Sequence, residues 1–280
     1  MIRRVAVGSS AGALELELVE AGAGGRPLLL VHGFTGAKED FSDWLVPLAE
    51  RGWHAVAPDL RGHGGSDHPP EESDYSLAVM AADVVGLADG LGWPRFVVLG
   101  HSMGGMVAQA IAVSAAAPRL DGLVLMDTAP GQVDGVDRSV VDLGVDIVRQ
   151  TGMQGLLDIL RLLGEAQPLG TEADRRLRVE RPGHVAESER KLLASAPAMW
   201  VAMSREMLER ADLLGPLGGL DVPTLVMVGE QDTAFLAPSR RMTAAIPGAR
   251  LEVIAGGGHS PQLEAPTAWW AALTAFLDEL

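Results

Sequence analysis

Ser102 follows a short apolar segment and precedes a run of helix-forming residues, within the sequence Val97-Val98-Leu99-Gly100-His101-Ser102-Met103-Gly104-Gly105. The pattern Gly100-x-Ser102-x-Gly104, between a predicted strand and a predicted helix, is typical of a nucleophile elbow. This is a tight turn that lifts a serine hydroxyl to the carboxyl edge of a parallel sheet. Glycine is needed beside such a turn because a Cβ atom would collide with the adjoining strand or helix. The alternative is that Ser102 only caps the helix that follows it.

A histidine and two aspartates can complete this chemistry. A serine hydroxyl needs a positioned base near neutral pH, and His259 lies in the glycine-rich loop 255–261 after the last predicted strand. The base in turn needs a carboxylate that holds its tautomer and stabilises the imidazolium. Asp232 follows the preceding predicted strand, and Asp127, which follows another one, is its competitor. The chain order Ser102, Asp232, His259 is the order expected of the fold that carries such an elbow.

Apolar segments alternate with segments of helical periodicity along much of the chain. Segment 28–31 is apolar throughout, which is typical of a strand buried on both faces, whereas 13–20 alternates apolar and acidic residues as a half-buried antiparallel strand does. The predicted strands are 3–7, 13–20, 28–31, 54–59, 97–99, 123–126, 224–228 and 250–254. The predicted helices of this part are 41–51, 76–91, 103–117 and 264–279. The pattern predicts an α/β fold, with a mostly parallel sheet between helices and a ligand site at the carboxyl ends of its strands.

A helical insertion interrupts this alternation. Residues 131–212 contain no convincing buried strand, and we predict helices near 138–149, 153–163, 172–179, 186–194 and 197–211. The predicted domains are therefore the first part of an α/β core at 1–133, a helical cap at 134–212, and the second part of the core at 213–280.

Four residues are candidates for the substrate pocket. A cap over the active edge of the sheet must line that pocket, and Met199, Trp200 and Met203 suit an apolar ligand. Core packing is the more frequent role of such residues. His101, beside the nucleophile, either lines the pocket or is structural.

Composition excludes several classes of function. The net charge of −15 argues against nucleic acid as a partner, since that needs a basic face. The absence of cysteine excludes disulfides, thiolate metal sites and a cysteine nucleophile. No cluster of histidines and carboxylates has metal-ligand spacing, so we predict neither a metal nor another cofactor. No apolar run approaches the roughly 18 residues of a membrane span, and the first residues do not resemble a signal peptide. We expect a cytoplasmic protein that acts on a small molecule, with no oligomeric state indicated.

Five ordered motifs resemble those of the α/β-hydrolase superfamily. They are His32-Gly33-Phe34, Asp59-Leu60-Arg61-Gly62-His63-Gly64-Gly65-Ser66, Gly100-His101-Ser102-Met103-Gly104-Gly105, Gly229-Glu230-Gln231-Asp232 and Gly257-Gly258-His259. The resemblance implies an eight-stranded, mostly parallel α/β-hydrolase fold with an inserted helical cap. It implies that Ser102 is the nucleophile, His259 the general base and then acid, and Asp232 the orienting carboxylate. Asp232 is favoured over Asp127 by its Gly-Glu-Gln-Asp setting, although some family members carry the acid at the latter position.

The resemblance also implies an oxyanion hole formed by the backbone N–H groups of Phe34 and Met103. Met103 has an independent argument, because it follows the nucleophile at a predicted helix N-terminus. There the N–H groups are free and the helix dipole favours an anion.

The leading interpretation is hydrolysis of a carboxylic ester through an acyl-enzyme. The closest alternative is a lactone, since Ser102–Gln109 is similar to the corresponding segment of enol-lactone hydrolases. Carbon–carbon hydrolases of the superfamily usually have Asn before the nucleophile and Trp after the base, where this chain has His101 and Ser260. The menaquinone-pathway lyase usually has an arginine where this chain has Met106. A ligand receptor that retains the pocket but turns over slowly is the alternative from outside the enzymes.

Overall fold

An eight-stranded sheet forms the centre of the computed structural model, which describes residues 1–9, 12–133, 135–163 and 170–280. Its strands are β1 Ile2–Ser9, β2 Gly12–Ala21, β3 Arg26–Val31, β4 Trp53–Pro58, β5 Phe96–His101, β6 Leu120–Met126, β7 Thr224–Gly229 and β8 Arg250–Ile254. The spatial order is β1-β2-β4-β3-β5-β6-β7-β8. The pairs β1–β2 and β2–β4 are antiparallel and all the others are parallel. The mostly parallel eight-stranded sheet expected from the sequence is confirmed.

The continuous apolar strands are buried on both faces, as predicted. Leu28 and Leu30 of β3 enter one apolar cluster, and Leu29 and Val31 enter another on the opposite face. Removing one such side chain from water contributes about 1.5–3 kcal/mol, so a strand between two layers of helices must be apolar at every position. In β2 only alternate side chains are buried, in agreement with its alternation of apolar and acidic residues.

Helices cover both faces of this sheet. They are α1 Ser42–Glu50, α2 Leu77–Gly90, α3 Met103–Ala112, α4 Arg138–Leu163, α5 Glu172–Glu180, α6 His184–Leu193, α7 Pro197–Glu209, α8 Leu214–Leu217, α9 Thr233–Ala245, α10 Pro261–Glu264 and α11 Pro266–Leu277. Residues of α2, α3 and α9 belong to the cluster on one face of the sheet. Residues of α1 and α11 belong to the cluster on the other face.

Two predicted helices end or begin at a different residue for a local reason, and one helix was not predicted. Helix α3 ends at Ala112 and not near 117, because the Ser114 hydroxyl bonds back to Ile111 O at 2.8 Å and competes with the helix. The helix predicted at 264–279 begins at Pro266 as α11, after the separate short helix α10, since the residue before a proline avoids helical geometry. Helix α9 was not predicted, and its interior Pro238 is a residue that normally ends a helix.

The segment between β6 and β7 is helical, from α4 to α8. Gly152, with φ at +69°, kinks α4 between the two helices predicted there. The predicted domain boundary at residue 134 lies outside the described residues, and so do residues 10–11 between the first two predicted strands. In the ranges described, no helix combines the length and the apolar character needed to cross a membrane.

The sheet order explains why distant residues can meet. Strands β5, β6, β7 and β8 are consecutive neighbours, and β3 lies on the other side of β5. The chain leaves the carboxyl ends of these parallel strands at one edge of the sheet. Ser102, Asp127, Asp232 and His259 all follow those ends.

Candidate active site

Ser102 lies at the tight turn between β5 and α3, with a positive φ of 53°. A Cβ added at Gly100 would lie 2.2 Å from Gly104 O, and one added at Gly104 would lie 2.3 Å from Val31 O. Glycine at these two positions therefore allows the strand and the helix to approach each other closely. The Ser102 side chain makes no capping hydrogen bond to α3, so capping does not account for the serine. Its backbone is held in a strained conformation that directs the side chain away from the helix start.

His259 links Ser102 to Asp232. The Nε2 atom of His259 lies 3.0 Å from Ser102 Oγ, and its Nδ1 atom lies 2.8 Å from Asp232 Oδ2. Asp232 is buried at the start of α9, whereas the His259 side chain is 16% exposed. The carboxylate accepts a hydrogen bond from Nδ1–H, which leaves a lone pair on Nε2 directed at the serine hydroxyl. The structure thus brings the three residues together in the arrangement expected of a nucleophile, a base and an orienting acid.

Asp127, the competing acid, lies beside this chain of hydrogen bonds. Its Oδ1 atom accepts the backbone N–H of Gly229 at 2.8 Å, and its side chain is fully buried. The hydrogen bond described for His259 Nδ1 goes to Asp232. Geometry therefore favours Asp232 as the partner of the histidine.

A carboxylate that sequence reasoning missed holds the histidine loop. Glu264 Oε2 accepts the backbone N–H of Gly258 at 2.7 Å and that of Ser260 at 3.0 Å, on either side of His259. Burial raises the pKa of this Glu264 carboxyl. The Phe235 ring packs 5.0 Å from the His259 ring. The only signal in the sequence is an acidic residue a few positions after a glycine-rich loop, which is too common to single out Glu264.

The residues predicted to supply the oxyanion donors lie near Ser102. Met103 is the first residue of α3, where a backbone N–H has no acceptor within the helix. Phe34 belongs to the turn after β3, and a Cβ added at its neighbour Gly33 would lie 3.1 Å from Ser102 Cβ. His32 braces that turn, because its Nε2 accepts the N–H of Leu60 at 3.0 Å and its Nδ1–H donates to Gly33 O at 2.8 Å.

His101 contributes to the wall of the site as a neutral group. Its Nε2–H donates to His259 O at 2.6 Å, and its Nδ1 has no partner among the residues that the structure describes. Burial, with a further contribution from nearby His259, lowers the pKa of His101 to about 4. At neutral pH it therefore does not compete with His259 for a proton.

A cavity of about 370 Å³ opens at Ser102. The core contributes Phe34, His101 and His259 to its wall. The helical segment contributes Asp174, Arg178, His184, Ser188 and Lys191. This wall is richer in charged and polar groups than the apolar pocket expected from the sequence.

The apolar pocket candidates lie elsewhere. Met199 and Met203 of α7 are fully buried in the core cluster that contains α2 and α3, and neither is among the residues that line the cavity. Trp200 packs its ring 5.8 Å from that of Phe34, so it contacts a cavity residue without being among the residues that line the cavity. This placement corrects the expected pocket: the methionines of α7 fasten the helical segment to the core, and α5 and α6 supply the cavity wall.

Lys191 joins the helical segment to the region of the turn that contains Phe34. Its Nζ donates to Asp40 Oδ1, and Asp40 Oδ2 accepts the N–H of Ala37 at 3.2 Å, next to the turn that contains Phe34. Both charged side chains are about nine-tenths buried.

We expect Lys191→Met to lower the free energy of unfolding by about 3–5 kcal/mol, because it leaves the Asp40 carboxylate buried without its partner. Urea denaturation measures this change. The double variant Lys191→Met with Asp40→Asn should recover most of the loss, since it removes both charges. The matched control is Arg149→Met, which breaks an exposed pair with Glu72 and should cost less than about 1 kcal/mol. Equal effects of the two single variants would contradict the expected role of burial.

Asp127, Asp232 and His259 also offer ligand atoms within 4.8 Å of one another. The spacing of these residues along the chain gave no sign of this group, because folding brings them together from three separate loops. Both ring nitrogens of His259 are already engaged, with Asp232 and with Ser102. Hydrogen bonding therefore explains the group without a metal ion.

Comparisons with known proteins agree with this architecture. The model of a family described as alpha/beta hydrolase fold matches residues 26–266. The structure of an esterase from Thermogutta terrifontis with malate bound superposes with a TM-score of 0.81 at 29% identity, over 99% of this chain and 98% of that one. The enol-lactonase from Burkholderia xenovorans superposes with a TM-score of 0.81 at 25% identity, over 98% and 99% of the two chains. A Bacillus subtilis protein with the provisional name 2-succinyl-6-hydroxy-2,4-cyclohexadiene-1-carboxylate synthase is 25% identical over 262 residues, 90% of each chain.

Proposed function

Since the chain belongs to the alpha/beta hydrolase fold family, we propose that it is a serine hydrolase that cleaves a carboxylic ester through an acyl-enzyme. The observation that carries this proposal is the continuous hydrogen-bonded chain Ser102–His259–Asp232, of which Ser102 and His259 line a cavity. The similarity to the esterase from Thermogutta terrifontis supports it.

In the proposed mechanism, Ser102 Oγ attacks the ester carbon while His259 Nε2 takes the hydroxyl proton. The oxyanion of the tetrahedral intermediate accepts hydrogen bonds from the backbone N–H groups of Phe34 and Met103. Loss of one such donor typically costs about 10²–10³ in kcat. His259 then gives its proton to the leaving alkoxide, which leaves an acyl group on Ser102. A water molecule that His259 deprotonates attacks this acyl group and releases the acid, and the proton returns to Ser102.

Asp232 stabilises the charged form of His259 in each of these steps. Its carboxylate accepts the Nδ1–H hydrogen bond while the ring is an imidazolium, and it does not itself take the proton. His101 remains neutral beside the ring, so the positive charge is confined to His259.

We further propose that the helical segment, predicted as a cap over residues 134–212, encloses a small-molecule substrate. Its helices α5 and α6 supply the outer wall of the cavity. Closing an active site in this way excludes water and strengthens the electrostatic interactions inside it.

Lactone hydrolysis is the second candidate, favoured by the similarity to the enol-lactonase from Burkholderia xenovorans. The same groups would act in the same order, but the leaving alkoxide would remain attached to the acyl-enzyme. The lyase alternative is supported by the provisional name of the Bacillus subtilis relative, and Met106 at the position of the expected arginine counts against it.

Stoichiometric labelling tests the proposed nucleophile. A p-nitrophenyl alkylphosphonate should release about one nitrophenolate per chain and add its phosphonyl mass to the peptide that contains Ser102. Ser188→Ala, which changes another serine of the cavity wall, should label like the wild type. Labelling elsewhere, or no labelling by short or long alkyl forms, would contradict the proposal. A panel of p-nitrophenyl esters and simple lactones then separates esterase from lactonase by kcat/KM.

A further inference from the structure

One carboxyl oxygen of Asp127 is buried without a hydrogen-bond donor among the described residues. The residue follows β6 with a positive φ of 46°, and its side chain is fully buried. Its Oδ1 accepts the N–H of Gly229, but its Oδ2 has no donor among the described residues. The Asp232 carboxyl offers an oxygen within 4.8 Å of one of Asp127, and the two side chains are within hydrogen-bonding reach. Two acceptors in contact need a proton between them, since a carboxylate cannot donate a hydrogen bond.

Only one carboxyl of this pair can be charged. Two buried carboxylates in contact repel each other, and burial penalises each charge separately. His259 Nδ1–H donates to Asp232, which stabilises its negative charge, whereas Asp127 accepts one neutral backbone N–H. Burial first, and then the charge of Asp232, raise the pKa of Asp127 well above its usual range.

We propose that Asp127 is a positioning residue whose protonated carboxyl donates a hydrogen bond from Oδ2 to Asp232. The single negative charge of the pair then resides on the carboxylate that receives His259 Nδ1–H. This hydrogen bond fixes the orientation of the Asp232 carboxylate opposite the imidazole. The proposed effect on catalysis rests on the proposed function, but the protonation of Asp127 does not.

The groups that face Asp127 come from three other elements. Asp232 approaches from the turn before α9, His259 from the loop after β8, and Glu264 from α10. Glu264 adds a smaller contribution that also raises the pKa of Asp127. The wild-type pair therefore carries a single negative charge next to His259. A variant with a neutral residue at position 127 would carry the same charge there.

The variant Asp127→Asn tests this charge state. Its amide oxygen can accept the Gly229 N–H, its NH₂ can donate to Asp232, and Asn tolerates a positive φ. We expect kcat/KM within about threefold of wild type. On the acidic side of the pH profile of kcat/KM, the midpoint reports protonation of the general base, and it should be the same as in wild type. If Asp127 is ionised, the change removes a negative charge near His259, and the midpoint should fall by roughly one pH unit. Such a fall would overturn the proposal.

The variant Asp127→Ala lacks the group that donates a hydrogen bond to Asp232, and it should lose about tenfold in kcat/KM relative to Asp127→Asn.

Infrared spectroscopy tests the protonation without any substrate. Wild-type protein at neutral pH in D₂O should show the C=O stretch of a protonated carboxylic acid, and Asp127→Asn should lack that band. Glu264→Gln is the control for another buried carboxyl with a raised pKa, and it should retain the band assigned to Asp127. If wild type and Asp127→Asn give identical spectra in this region, Asp127 is ionised and the proposal is wrong. If the band is present but no hydrolysis is found, the failure belongs to the proposed function alone.

Discussion

Replacing Ser102 with Ala is expected to lower kcat for a good ester substrate by about 10⁴–10⁶-fold. In the proposed mechanism the hydroxyl oxygen forms the new bond to the acyl carbon, and the methyl group of alanine cannot replace it. The remaining activity would come from the oxyanion donors and from binding, which together retain about 10³–10⁴ over water in serine proteases. Steady-state hydrolysis of p-nitrophenyl esters measures the change.

Stability provides the control for this variant. Ser102 Oγ bonds His259 and makes no capping bond to α3, so its removal should leave the melting temperature close to that of wild type. Ser188→Ala changes a serine on the cavity wall that lies outside the hydrogen-bonded chain, and it should keep nearly full activity. A loss smaller than tenfold in folded Ser102→Ala would show that another group is the nucleophile.

The positions of Ser102, Asp232 and His259 could be predicted because each depends on local features and on one general rule. Glycines mark the elbow, apolar segments mark the buried strands, and the ends of parallel strands meet at one edge of a sheet. Nothing more is needed to bring residues from three loops together. The rule about strand ends does not by itself separate Asp127 from Asp232, because both follow strands that end at this edge, and only the Gly-Glu-Gln-Asp setting favoured Asp232. The structure separates them by the direction of their carboxyl groups, which sequence periodicity does not determine.

The cavity wall could not be predicted in the same way. The wall depends on which face of each helix between β6 and β7 is directed toward Ser102. The apolar residues of a helix can be recognised in the sequence, but the sequence does not show which part of the protein they contact. Met199 and Met203 proved to pack on the core, while Lys191 enters the site because Asp40 binds it there. Glu264 acts through two backbone N–H groups, which leave no signature in the sequence.

Replacing Asp232 with Asn should lower kcat by about 10³-fold while leaving the protein folded. In serine protease triads the same exchange costs about 10⁴, because the amide NH₂ faces the imidazole and favours the wrong tautomer. Here Asp127 provides a second carboxyl beside the substituted residue. Once the charge at position 232 is removed, Asp127 can ionise, accept the new amide N–H and turn the amide oxygen toward His259 Nδ1–H. Measured kcat values across pH 6–9 test this expectation, and a larger loss in Asp127→Asn than in Asp232→Asn would overturn the assignment of the orienting acid.

The double variant Asp127→Asn with Asp232→Asn tests whether an ionised Asp127 compensates for the charge that Asp232→Asn removes. Asp127→Asn alone should change kcat by less than about threefold, because the wild-type residue is already neutral in our proposal. In the Asp232→Asn background it should cost a further tenfold or about 1.4 kcal/mol, since no ionised carboxyl then remains to orient the amide or to stabilise the imidazolium. Groups in contact are expected to be non-additive in this way, and the coupling is read directly from the four kcat values. Equal effects of Asp127→Asn in both backgrounds would mean that the two carboxyls act independently, and the hydrogen bond between them would then have no part in the chemistry of Ser102.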